Sequence, residues 1–156
     1  MIVILDSGIV DLLTSSIQSL SKKDEGEIYQ CNNWFYGLLA KGVYIVSSDI
    51  VDYEVRRKFI HIKSEGLSNL DNLREVIEFL PLTLEVMRQS AELWAKVREI
   101  HRRTADDKAL DVDMIISAHW KILSAKYPGR YIVVATNNLS HLKLFCEAQK
   151  WRDITF

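Results

Sequence analysis

Asp6, Glu54, Asp113 and Asn138 are the side chains of this sequence whose type and placement suggest chemistry. Asp6 closes the apolar run Ile2-Val3-Ile4-Leu5, and Asn138 follows the apolar run 131–135. The run 43–46 leads into Ser48-Asp49-Ile50-Val51-Asp52-Tyr53-Glu54, which sets Glu54 about two turns into a helix that starts there. Asp113 falls in the first turn of a helical pattern that precedes the run 131–135. Each has a plain reading when taken singly: Asp6 as a helix cap, Asp113 as an acid offsetting a helix dipole, Asn138 as a turn residue, and Glu54 as a partner for Lys58 one turn on. Jointly they ask for more, because carboxylates gathered at one sheet edge repel one another unless a hard divalent cation neutralises them. A set of oxygen donors without His or Cys points to magnesium or manganese rather than zinc.

The elements that must position these groups are legible from periodicity. The runs Ile2–Leu5, 43–46 and 131–135 are short, β-branched and apolar throughout, as strands buried on both faces are. Two weaker strands are expected at 78–82, interrupted by Pro81 and so nearer an edge, and at 154–156. Helical spacing fills the intervals: 7–20 opened by Ser7, 27–40 stopped by Gly42, 49–62 capped by Ser48 or Asp49, a shorter helix opened by Ser68, 84–103, a helix begun by Asp111, and 139–149. The polar stretch 104–110 reads as irregular. Strands of this kind alternating with amphipathic helices imply parallel pairing through right-handed crossovers, hence an α/β three-layer sandwich. In such a sheet ligands bind beyond the carboxyl ends of the strands, where the acids above stand.

Composition bounds the rest. A chain of 156 residues, 48% hydrophobic and 26% charged, suits one domain spanning 1–156 with its own core. No stretch is long and apolar enough to cross a bilayer, and the apolar start runs into Asp6 without a basic leader, so the expected compartment is the cytoplasm. Cys31 and Cys146 form no Cys-x-x-Cys pair and read as reduced, buried thiols. A net charge of -1 leaves any polyanion contact to local basic patches such as Arg56-Arg57-Lys58 and Arg98, Arg102 and Arg103.

Four segments in order resemble the PIN-domain family, especially its VapC-type ribonucleases: Ile4-Leu5-Asp6-Ser7-Gly8-Ile9-Val10, Ser47 to Arg57, Asp113-Met114-Ile115-Ile116-Ser117-Ala118, and Val133 to Leu142. The resemblance spans nearly the whole chain. It implies a mainly parallel sheet of about five strands in the order 3-2-1-4-5, with Asp6, Glu54 and Asp113 as catalytic metal ligands for Mg2+ or Mn2+. Asn138 stands where many members carry a fourth acid and by the resemblance joins the three acids as a neutral metal ligand. Ser7 matches the hydroxyl residue beside the first acid, and Ser7, Arg56 and Arg57 become substrate contacts, although a salt bridge to a neighbouring acid serves either arginine as well. Asp111 rivals Asp113, but the apolar run Met114-Ile115-Ile116 follows Asp113 directly, as the family pattern asks. Asp106 and Asp107 line the mouth or an exposed polar loop. The implied activity is RNA phosphodiester hydrolysis, with a cognate antitoxin and a homodimer as partners; Trp34 and Phe35 offer exposed aromatics or core. The competing reading is a catalytically weak PIN-fold RNA-binding or scaffold module. Other α/β classes lack their motifs: Gly8 stands where a dehalogenase-type phosphatase needs a second aspartate, and Asp6-Ser7-Gly8-Ile9-Val10 lacks the spaced glycines of a dinucleotide site.

Overall fold

The computed structural model describes residues 1–16, 22–100, 107–140 and 142–156, the side chains of 23–25 and 107–110 excepted. Five strands form one sheet: β1 (Ile2–Leu5), β2 (Tyr44–Ser48), β3 (Glu78–Leu80), β4 (Ile132–Thr136) and β5 (Ala148–Lys150), all paired in parallel in the order β3-β2-β1-β4-β5. The helices are α1 (Ser7–Thr14), α2 (Lys22–Ala40), α3 (Asp49–His61), α4 (Gly66–Val76), α5 (Leu84–Ile100) and α6 (Asp107–Lys126). Right-handed crossovers send α1 to α4 to one face and the α5–α6 pair to the other, which gives the sandwich expected from the sequence.

Central position explains composition. β1 lies between β2 and β4, and its four residues Ile2, Val3, Ile4 and Leu5 are at most 1% exposed. Each such side chain contributes about 1.5–3 kcal/mol of transfer free energy, comparable to the ordering cost of its residue. α2 ends where Gly42, at φ +75, turns the chain in the left-handed region into β2. Gly66 opens α4 because a Cβ there would stand 2.7 Å from the Phe59 ring and 2.9 Å from the Thr14 carbonyl oxygen.

β2 runs two residues beyond its apolar stretch. Ser47 and Ser48 are buried, and each hydroxyl is satisfied: Ser47 Oγ donates to the Leu5 carbonyl at 3.0 Å, and Ser48 Oγ lies 2.9 Å from His119 Nε2 while accepting from Ile50 N. Unpartnered, either would cost about 1–3 kcal/mol. Ser48 is therefore both the cap of α3 and the tie between β2 and α6.

Burial lowers the pKa of His119 to about 4, against a smaller raising influence from Asp49. A folded-state value below the ordinary 6.5 means that the unfolded chain takes up the proton first. The stabilisation is complete above pH 6.5 and is lost as pH falls towards 4. Chemical denaturation at pH 7 and 4.5 is expected to show this loss as about 2–3 kcal/mol, and His119→Gln is expected to remove that share of the pH dependence. Equal pH dependence in the two proteins would remove His119 as the cause.

The C-terminal region departs from expectation. A helix over 139–149 and a strand at 154–156 are replaced by a 3-10 turn at Leu142–Leu144, the edge strand β5, and a second 3-10 turn at Trp151–Asp153. Ala148, Gln149 and Lys150 carry one buried apolar residue among them, so periodicity cannot flag a strand whose stability comes from pairing Val134 with Ala148 and Thr136 with Lys150. Ile154 is buried without joining the sheet; its carbonyl accepts from Trp34 Nε1 at 3.0 Å, and the Trp34 and Trp151 rings pack at 5.6 Å. Phe35 is 1% exposed and belongs to the interior, and Trp34 is partly buried against the core. β3 is confined to Glu78–Leu80, ending before Pro81, and α6 begins a turn ahead of Asp111. α1 ends at Thr14, and the expected extension to 20 and the residues 101–106, Asp106 among them, reach outside the described chain. Cys31 and Cys146 are free and buried. Among the described residues no helix is long and apolar enough to cross a membrane.

Candidate functional site

β1 and β4 bring the first acid to a hydroxyl that sequence reading had not assigned. Their register sets Leu5 opposite Ala135, and Asp6 N donates to the Ala135 carbonyl at 3.1 Å, so Asp6 and Thr136 leave the sheet side by side. Thr136 Oγ1 donates a short hydrogen bond to Asp6 Oδ2, and Ser7 Oγ donates to Oδ1 at 3.0 Å. Asp6 occupies the N-cap position of α1, yet its side chain makes no capping bond; its backbone carbonyl accepts from Ile9 N and Val10 N. The carboxylate is therefore not spent on the helix. It is 8% exposed, each oxygen accepts one hydroxyl, and a carboxylate has about four lone-pair sites.

Asp113 stands on α6 at the same end of the sheet, half-buried, while its rival Asp111 is exposed. Burial pushes the Cys146 thiol up to about 12, a hydrogen bond from Ser117 opposes this, and the charges of Asp113, Glu147 and Asp6 add to the rise. The thiol therefore stays protonated at neutral pH. Ser117 Oγ also donates to the Asp113 carbonyl at 2.8 Å, tying the turn that carries it.

Glu54 is held by α3. Ile50, one turn earlier on the same face, packs against the apolar cluster that contains Met114 and Ile115, so this stripe of α3 faces α6. Glu54 does not pair with Lys58; Lys58 Nζ donates to both oxygens of Asp11, at 2.9 and 2.8 Å. The Glu54 carboxylate instead lies 4.0 Å from Arg57.

The two arginines differ. Arg56 is committed to structure, donating through Nε and Nη2 to Asp52 at 2.7 and 3.0 Å and to Asp71 at 2.8 Å. Arg74 completes this network with bonds to Asp52 and Asp49 at 3.2 and 3.0 Å. Burial alone would raise the Asp52 pKa, but the two guanidiniums outweigh it and hold the carboxyl below its usual range. The network fixes the start of α3 to α4 and so the frame on which Glu54 rides. Arg57 is half exposed and, among the described residues, makes the distant contact to Glu54 and a stacking contact with Tyr53.

Asn138 is engaged in a local turn next to Thr136. Its Oδ1 accepts from Ser140 Oγ at 2.8 Å and from Ser140 N at 3.3 Å, and its backbone N donates to Thr136 Oγ1 at 2.9 Å. The side chain is the acceptor of a turn. Asp107 lies in the first turn of α6, not in a loop.

Among the described residues no three His, Cys, Asp or Glu side chains are gathered closely enough to hold a metal ion. Asp6 follows the end of β1 and Asp113 stands in the second turn of α6, whereas Glu54 leans on Arg57. The donors nonetheless suit a hard cation in type: all are carboxylate oxygens, Asp6 is oriented by two hydroxyls, and the Glu54–Arg57 pair is long and solvated, which makes it worth well under about 1 kcal/mol. Thr136 was missed because its importance rests on register. The available signal was its place directly after the run 131–135, as Asp6 follows its own run.

No protein-family model matches this chain, and neither does any curated protein. Solved structures do. A chain of the crystal structure of VapBC2 from Rickettsia felis bound to a DNA fragment from their promoter aligns with a TM-score of 0.64 at 21% identity, covering 97% of this chain and 99% of that one. A chain of the crystal structure of FitAcB from Neisseria gonorrhoeae aligns with a TM-score of 0.62 at 14% identity, with the same coverage of 97% and 99%. Identities this low speak for the fold. The chain has a PIN-like α/β fold: a five-stranded parallel sheet in the order 3-2-1-4-5, flanked by helices on both faces.

Proposed function

We propose that this protein is a Mg2+- or Mn2+-dependent endoribonuclease, the toxin of a toxin–antitoxin pair acting in the cytoplasm as a homodimer. The observation that carries the reading is Asp6: a buried carboxylate at the end of the central strand, oriented by Ser7 and Thr136 and not used as a helix cap. A hydroxyl pair that spends its bonds on positioning one acid is what a ligand-holding carboxylate needs. The fold shared with VapBC2 and FitAcB chains supports the same reading and the expectation of an antitoxin partner.

Asp6, Asp113 and Glu54 would hold the ion, with Glu54 leaving Arg57 to do so. When bound, the ion supplies a water of lowered pKa and charge neutralisation at the phosphate. Ser7 and Thr136 keep Asp6 in one orientation. Arg57, released by Glu54, is placed to meet a phosphate, whereas Arg56 stays in its network with Asp52 and Asp71 and shapes α3. Asn138 brings no charge and contributes through the turn that positions Thr136.

Incubating the purified protein with single-stranded RNA, with MgCl2, with MnCl2 and with EDTA, tests the activity. Cleavage with either metal and none in EDTA is expected. Binding without metal-dependent cleavage would favour an RNA-binding or scaffold module, a reading that the ungathered acids and the position of Asn138 support. Thr136→Val, nearly isosteric but unable to donate to Asp6, is expected to lower cleavage about 10- to 100-fold with the fold intact. Undiminished cleavage would show that Asp6 needs no such positioning. Copurification of the protein with the product of an adjacent small open reading frame tests the antitoxin, and light scattering tests the dimer.

A further inference from the structure

Tyr53 precedes Glu54 on α3 and is 58% exposed. The Arg57 guanidinium lies 5.1 Å from the centre of its ring and 4.0 Å from Glu54 Oε1. One cation thus bridges an exposed aromatic face and a candidate catalytic acid. The buried apolar residues of α3 are Val51, Val55 and Phe59, with Ile50 partly buried against the core, whereas Tyr53 is exposed and belongs to neither cluster. An exposed ring with an arginine beside it, next to an acid that acts on phosphodiesters, is the arrangement by which single-stranded nucleic acid is held: a base stacks on the ring and the cation meets the backbone.

We infer that Tyr53 is a base-stacking residue for single-stranded RNA, with Arg57 as its phosphate contact, at the Glu54 side of the site. The inference rests on the ribonuclease reading and adds the residues that seat the substrate. It also gives Arg57 two states. Without RNA it screens Glu54; with RNA the phosphate competes for the guanidinium and leaves the carboxylate to the catalytic group. Stacking tolerates any base, since each has a π-face, so this contact sets strandedness and not sequence. A duplex, whose bases are already stacked on one another, offers Tyr53 nothing.

Fluorescence anisotropy of a labelled single-stranded RNA decamer, in EDTA so that cleavage cannot deplete it, reads the contact directly in the full chain. Tyr53→Ala is expected to weaken binding by about five- to a hundredfold, and Tyr53→Phe, which keeps the ring, by no more than about twofold. Arg57→Ala is expected to lower the slope of log affinity against log salt by about 0.7, the value for one phosphate contact on a single strand. A decamer carrying a series of single abasic sites is expected to show one position whose base matters to the parent and not to Tyr53→Ala. Parent-like binding by Tyr53→Ala, or equal losses in Tyr53→Ala and Tyr53→Phe, overturns the stacking role while leaving the ribonuclease reading standing if the parent cleaves RNA. A parent protein that neither binds nor cleaves the RNA overturns both.

Discussion

Asp6→Asn is expected to reduce metal-dependent RNA cleavage by more than about a hundredfold while leaving the fold intact. Loss of a residue that merely orients a ligand costs about 10–100-fold, so loss of the ligand's own charge should cost more. The fold should tolerate the change because an amide can still bond the hydroxyls of Ser7 and Thr136, each of which can turn to accept or donate. Calorimetric titration with MnCl2 supplies a readout independent of turnover: the parent is expected to bind and Asp6→Asn and Asp113→Asn to bind far more weakly. Unchanged manganese binding in both variants would remove these residues from the metal site.

Glu54→Gln is expected to lose most cleavage, whereas Lys58→Ala should retain nearly all of it. A surface role for Glu54 as the partner of Lys58 would make the two variants alike, but Lys58 is paired with Asp11 on α1. That pair is substantially exposed and is worth under about 1 kcal/mol, so Lys58→Ala should shift stability only slightly. Among the described residues, Glu54→Gln likewise weakens a 4.0 Å contact to Arg57. Rates measured at saturating magnesium, beside urea denaturation of each variant, separate a lost ligand from a lost fold. Equal rates in the two variants would return Glu54 to a surface role.

The sequence by itself determined the layered α/β architecture and where Asp6 stands relative to the sheet. Strands at the centre of a parallel sheet must be apolar on both faces, so Ile2–Leu5 and the cores of β2 and β4 announce themselves in composition. An acid directly after such a run lies at the carboxyl end of the sheet whatever else the chain does, which made Asp6 legible without coordinates. The residues at strand and helix ends resisted the same treatment. Ser47 and Ser48 extend β2 because Leu5 and His119 satisfy their hydroxyls, and neither partner is near in sequence. β5 exists because β4 offers an edge to Ala148–Lys150, a pairing energy that no periodicity within three residues can encode.

The site divides along the same line. Which residue types could carry oxygen-ligand chemistry was readable; which of them are free to do so was a matter of long-range partners. Arg56 and Arg57 are adjacent, yet a helical step of about 100° sends one to Asp52 and Asp71 and leaves the other beside Tyr53 and Glu54. Asn138 is drawn to Ser140 by a local turn, and Thr136 reaches Asp6 across the sheet at a sequence separation of 130. Strand register and competition among hydrogen-bond partners decided these roles, because both depend on neighbours that only the folded chain assembles.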